Sequence, residues 1–285
     1  MNAVAAPGPA RARWIRSFRP SGDAGVRLLC FPHAGGAAGF YFPLAQALAP
    51  DVEVLAVQYP GRQDRLREPG VDDVRVLADG VVAALLPLLD DRELALFGHS
   101  MGATVAYEVA RRLEHEAGVR PALLFASGRR APSRYREERA HLKDDAGLAE
   151  ELRLLGGTGG DLLADPDILR MVLPAVRVDY RAIETYRHRP GAELGCPIAV
   201  LTGSHDPRVT PDEAADWRHH THAGHTVDVF PGGHFYLNEI MGEIAGLITD
   251  RISALPAPAL PVSALPVSAL PVPALRTATG GIARP

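Results

Sequence analysis

The chain has almost no lysine, little cysteine and no long apolar run, and each shortage removes a class of function. Of 30 basic residues only Lys143 is a lysine, and the other 29 are arginine. Arginine and alanine used this heavily look more like GC-rich coding than a set of selected guanidinium contacts. Against 34 Asp and Glu the net charge is −4, so no global field advertises nucleic-acid binding. Two cysteines, Cys30 and Cys196, can build neither a disulfide framework nor a four-thiolate metal site. The first residues, Met-Asn-Ala-Val-Ala-Ala-Pro, lack the basic start and unbroken apolar stretch of a signal peptide. No stretch reaches the roughly 18 uninterrupted apolar residues of a spanning helix. The expectation is a cytoplasmic chain that engages neither membrane nor nucleic acid.

What remains is ordinary globular material. With 47% hydrophobic residues over 285 positions, there is enough for one large domain or two small ones at about 150 residues each. Short apolar runs cover Val26–Phe31, Val52–Val57, 94–97, 122–126, 198–201 and 226–230, bounded by Gly, Pro, Asp or Ser. Runs this short and continuous fit strands buried on both faces. Helical patterns alternate with them. After Met101, the residues Val105, Ala106, Val109 and Leu113 share one face, and Gly118 follows where a cap belongs. Thr210-Pro211-Asp212-Glu213 has the form of a capping box, and 235–252 carries apolar residues at helical spacing. Strand–helix alternation predicts an α/β fold, a mostly parallel central sheet with helices on both faces.

Two stretches depart from that rhythm. About seventy residues between the run at 122–126 and Ile198 carry no strand signal, only helical patterns at 142–155 and 167–186 around a cluster of Gly156, Gly157, Gly159 and Gly160. A connection that long needs structure of its own. We read 129–186 as a helical lid inserted between two parts of the core, 21–128 and 187–252. From 253 to 285 an Ala-Leu-Pro repeat every five residues forbids helix and interior strand, so a disordered tail of unselected repeats is expected. Residues 1–20 read as a flexible lead-in.

The sharpest signal is Gly98-His99-Ser100-Met101-Gly102, lying between an apolar run and a helix. A G-x-S-x-G in that context is a nucleophile elbow. The serine hydroxyl must stand out from a strained turn, and side chains two positions either side would strike backbone. A serine also needs a base, and the base needs a carboxylate to orient it. Asp206 follows the run at 198–201 and His234 follows the run at 226–230, which is the chain order the elbow requires. Ser100, Asp206 and His234 are therefore the expected triad. The competing histidines fit less well. His99 is too close to Ser100, and His205 adjoins the acid. His219, His220, His222 and His225 match no zinc spacing and read as a solvated helix end. The backbone N–H of Met101 should donate to a developing oxyanion. A second donor should come from Phe31-Pro-His-Ala-Gly-Gly, with Ala34 preferred and His33 or Gly35 as alternatives.

Five segments in this order resemble the type II thioesterases, stand-alone partners of modular polyketide and nonribosomal peptide synthases. They are Phe31-Pro-His-Ala-Gly-Gly, Gln58-Tyr-Pro-Gly-Arg62, Phe97-Gly-His-Ser-Met-Gly102, Asp179-Tyr-Arg-Ala-Ile-Glu-Thr-Tyr186 and Pro231-Gly-Gly-His-Phe235. The resemblance covers roughly 12–252 and leaves the proline repeat unexplained. It implies the α/β-hydrolase fold and hydrolysis of acyl thioesters from the phosphopantetheine arm of carrier domains by a monomer. It also implies Ser100, Asp206 and His234 as nucleophile, acid and base, with oxyanion amides at Met101 and Ala34. No metal or organic cofactor is implied. Arg129, Arg130, Arg134, Arg136 and Arg139 offer a seat for an acidic carrier domain, against which stand Glu137 and Glu138, interleaved with them. The rival readings are a carboxylesterase or lipase on the same fold and a non-catalytic synthase adaptor docking through its tail.

Overall fold

The computed structural model describes residues 13–156 and 165–255. Expectations placed on residues 1–12, on most of the glycine cluster and on the proline repeat from 256 onward lie outside the described residues. In chain order the elements begin with β1 (Ile15–Ser17), β2 (Val26–Phe31), α1 (Phe42–Leu48), β3 (Val52–Val57) and α2 (Val74–Leu85). Then follow β4 (Glu93–His99), α3 (Met101–Glu116), β5 (Leu123–Ser127), α4 (Asp145–Leu155) and α5 (Pro166–Thr185). The last are β6 (Ile198–Gly203), α6 (Pro211–Ala215), β7 (His225–Phe230) and α7 (Met241–Ser253), with short 3-10 turns between.

The sheet order is β1-β3-β2-β4-β5-β6-β7, and all neighbours run parallel except β1 against β3. The continuous apolar runs have a direct cause: successive residues of each strand enter different cores. Leu29, Phe31, Leu96 and Leu124 pack with α2 and α3 on one face, whereas Leu28, Cys30, Phe97 and Phe125 pack with α1 and α7 on the other. A strand covered on both sides has no face to leave polar. The capping box is present at α6, where the Thr210 hydroxyl and Glu213 carboxylate each accept from the other's backbone.

Three expectations are corrected. The lead-in does not stay loose to residue 20. Ile15–Ser17 pairs with Leu55–Val57 as an edge strand, and Trp14 lies beneath the Arg65 guanidinium and against Gly80. The helix expected from 235 starts later. Phe235 is followed by a 3-10 turn at Tyr236–Asn238, because Tyr236 turns back to stack on Phe230 and to bond Ser127, and α7 begins at Met241. Of the four clustered histidines, His220 is buried rather than solvated, bonded to Tyr107 at 3.1 Å and Ser133 at 2.9 Å.

Between β5 and β6, α4 and α5 form a small core of their own from Leu148, Leu155, Leu173, Val176 and Tyr180. Ala34 and Phe235, from loops of the sheet, pack against that core. The insertion is thereby laid over the C-terminal edge of the strands, where open α/β sheets place their ligands.

Candidate active site

Ser100 follows β4 directly and carries φ 56°, a left-handed conformation rare for a residue with a side chain. The turn is held by the Ser100 amide donating to the Ser127 carbonyl at 2.8 Å. Its glycines are obligatory. A Cβ at Gly98 would lie 2.3 Å from the Gly102 carbonyl oxygen, and one at Gly102 would lie 2.0 Å from that of Phe31. The acid and base loops are stitched together in the same way. Ser204 and His205 donate to the carbonyls of Phe230 and Gly232, and a Cβ on Gly203 would meet the Gly233 carbonyl at 2.2 Å.

These turns bring the three sequence-expected side chains into one chain of hydrogen bonds. His234 Nε2 is 2.9 Å from Ser100 Oγ, and His234 Nδ1 is 3.0 and 2.9 Å from the two Asp206 oxygens. The Asp206 carboxylate is fully buried and also accepts from the Arg208 amide at 2.8 Å. Nucleophile, base and orienting acid thus stand in the order general-base catalysis requires.

The loop after β2 faces Ser100. His33, Ala34, Met101 and His234 line one small cavity with it. The Gly35 amide donates to Asp179 Oδ2 at 2.7 Å, which removes it as an alternative oxyanion donor. Neither the Ala34 nor the Met101 amide donates to another group among the described residues. Met101 opens α3, so its N–H has no intrahelical acceptor and sits at the positive end of the helix.

Two features carry no local sequence signal. The first is a buried ion pair: Arg62 donates to both Asp179 oxygens at 2.6 and 2.8 Å, and to the Gly36 carbonyl at 2.9 Å. Asp179 is on α5 and fully buried, so the insertion holds the β2 loop from behind. The segments containing both residues stood out in the sequence, but without a chemistry. The second is a group of histidine rings beside the base. His99 lies 5.1 Å from His234 and 6.0 Å from His33, ring to ring. Burial, then the charge of His234, pushes His33 down to about 3 and His99 well below the ordinary imidazole range. Both stay neutral beside a base that must accept a proton.

The cavity at Ser100 measures about 30 Å³ and opens towards the surface. Leu152, Leu155, Tyr180 and Ile183 line it from the insertion. No group of three or more His, Cys, Asp and Glu side chains among the described residues is placed to hold a metal. No described helix is long and apolar enough to cross a membrane.

A serine–histidine–aspartate chain at the C-terminal edge of a mostly parallel sheet, with the serine on a strand–turn–helix elbow, defines an α/β-hydrolase. The family model for the thioesterase domain matches residues 26–252, and the chain belongs to the thioesterase family. It is 49% identical over 239 residues to thioesterase PikA5 of Streptomyces venezuelae, covering 84% of this chain and 85% of that one. The solved type II thioesterase BorB, from the borrelidin biosynthetic cluster, superposes with a TM-score of 0.79 at 51% identity, covering 84% and 97% of the two chains. RedJ, a thioesterase of the prodiginine pathway in Streptomyces coelicolor, gives a TM-score of 0.77 at 36% identity, with 82% and 93% covered. The chain is a thioesterase of the type II class.

Proposed function

We propose that this enzyme releases acyl groups from the phosphopantetheine arms of carrier domains, clearing stalled or misprimed polyketide and nonribosomal peptide synthases. It acts as a cytoplasmic monomer. The observation that carries this reading is the Ser100–His234–Asp206 chain, with separations of 2.9 and 2.9 Å, in a fold shared with type II thioesterases of such pathways.

The steps follow from the geometry. Nδ1–H of His234 donates to Asp206, which leaves Nε2 free to take the Ser100 proton as Oγ attacks the thioester carbonyl. The Ala34 and Met101 amides receive the oxyanion. Collapse expels the arm's thiolate, whose pKa of about 8.5 makes it a good leaving group. The thiolate takes the proton held on His234. Water, deprotonated by the same His234, then attacks the acyl-serine, and the carboxylic acid departs as Ser100 regains its proton. Residues 129–186 serve as the lid, with Leu152, Leu155 and Ile183 as walls for the acyl chain.

The test is hydrolysis of one short acyl group presented on a phosphopantetheinylated carrier protein and as a simple oxoester, with Ser100→Ala alongside. Faster release from the carrier, abolished in the variant, is expected. Faster oxoester cleavage with indifference to the carrier would instead make the enzyme a general esterase.

A further inference from the structure

Five arginines gather at the start of the insertion, and the structure separates them by their partners. Arg130 pairs with Glu138, Arg134 with Asp216 and Arg139 with Glu137. Arg136 holds both oxygens of Glu213, at 2.8 and 2.7 Å. Arg129 differs from them all: among the described residues its guanidinium has neither a carboxylate partner nor a hydrogen-bond acceptor. The acids closest in charge, Glu138 and Glu184, are already engaged. Glu184 accepts from the Ala140 and His141 amides at 2.9 and 3.0 Å and from the His141 ring. Glu138 holds Arg130 and Arg208.

Arg129 also stands at a junction. It lines the cavity at Ser100 and a second cavity of about 290 Å³, and Ile183 and Glu184 are walls of both. At the exposed rim of the larger space, Arg187 stacks on the Tyr135 ring at 3.6 Å and, among the described residues, donates only to the Glu184 and Tyr186 carbonyls, each at 2.9 Å. Two guanidinium groups without carboxylates therefore border one space. A guanidinium has five N–H donors in a planar fork that fits phosphate or carboxylate, and the half-buried Arg129 fork faces this space with no acid to hold it. Burial, then the charge of Arg130, lowers Arg129 to about 9, which leaves it a cation at neutral pH.

Building on the thioesterase reading above, we propose that the larger cavity is an oxyanion seat for the substrate. Arg129, with Arg187 at the rim, binds a phosphate or carboxylate group while the thioester lies at Ser100. Two parts of a substrate offer that chemistry: the phosphate of the arm and a carboxylate on the acyl group.

Three substrates separate these sources: a short acyl group on pantetheine, the same group on 4′-phosphopantetheine, and a dicarboxylic acyl group on pantetheine. Wild type is expected to favour one anionic substrate over the neutral one by about tenfold in kcat/KM, through KM, the size of one charge-assisted hydrogen bond. Whichever substrate shows the preference identifies the source. Arg129→Gln should bring that ratio close to one, and Arg129→Lys should restore part of it. A general loss of activity or folding cancels in the ratio. Wild type without preference for either anion, or Arg129→Gln with an undiminished one, overturns the seat. Binding decides it independently of turnover. Ser100→Ala titrated with 4′-phosphopantetheine and with glutarate should bind one of them about tenfold more tightly than the Ser100→Ala, Arg129→Gln double variant does. Equal binding by both proteins refutes the proposal. A wild type that hydrolyses none of the thioesters refutes the thioesterase reading and leaves this titration to judge the seat.

Discussion

Ser100, Asp206 and His234 stand at most four residues past the ends of β4, β6 and β7, whereas Leu152, Leu155, Tyr180 and Ile183 reach the same cavity from the insertion. The first group is fixed by backbone: strand registers, stitched loops and glycines that admit no Cβ. The second belongs to helices with a small apolar core of their own, joined to the β2 loop by the Arg62–Asp179 pair. Strand ends supply the sub-ångström accuracy that proton transfer needs, while packed helices can shift as a body to admit different acyl groups. One site thus divides reaction and selection between two kinds of support.

The division predicts effects of very different size. Ser100→Ala or His234→Ala should lower single-turnover hydrolysis by roughly 10⁴- to 10⁶-fold, because the members of a triad act as a unit. Leu152→Ala should leave the chemistry of a short acyl group within about tenfold and alter which chain length is preferred, the scale of a methylene or two in an apolar pocket. A Leu152→Ala loss as deep as that of Ser100→Ala on every chain length would erase the distinction between the two halves.

Asp179 is where the halves are joined. Asp179→Ala would leave the Arg62 guanidinium buried without its counterion and the Gly35 amide without its acceptor, a change worth about 3–5 kcal/mol of stability. Asp179→Asn retains an acceptor for Gly35, so it should cost less. In both variants kcat should fall more than KM rises, because the loop that carries the Ala34 amide loses its backing. Urea unfolding and steady-state kinetics separate these effects. A destabilised Asp179→Ala protein with wild-type kcat would show that the pair holds the fold together but does not position the loop.

The parts legible in the sequence are those whose cause is local. The elbow is a pentapeptide with its strand before and its helix after. Asp206 and His234 are recognised because each follows an apolar run. Arg62 and Asp179 lie 117 positions apart, so no window of sequence contains their pairing. Ile15–Ser17 is three residues of mixed polarity whose strand character comes from β3 beside it. His220 sits in a polar string that looks solvated, and only Tyr107 and Ser133, brought by tertiary structure, make it interior. The arginine group likewise read as one patch until its acids, two of them from α6 and the turn after it, divided it.

Acid should weaken the two halves in sequence. On the core side, His33 and His99 are held neutral in the fold, whereas in the unfolded chain each imidazole titrates near 6.5. Below that pH the unfolded chain binds protons that the folded one does not, so stability falls as pH falls from about 6.5 towards 3. The insertion answers later. Burial alone would raise Glu138, but hydrogen bonds and charge from Arg130, then Arg129 and Arg208, outweigh it and hold the carboxyl at about 2. Its contribution is complete above the ordinary carboxylate range near 4.3 and is lost only as pH falls from there towards 2. Between about pH 6.5 and 4.5 the loss should therefore come from imidazoles, at no more than about 1.4 kcal/mol per pH unit for each. His33→Phe keeps a ring between Phe40 and Phe235 and removes one titrating group. Urea unfolding of the two proteins at several pH values in that window should give a shallower slope for the variant. Equal slopes would mean that His33 takes up its proton in the folded protein as readily as in the unfolded chain.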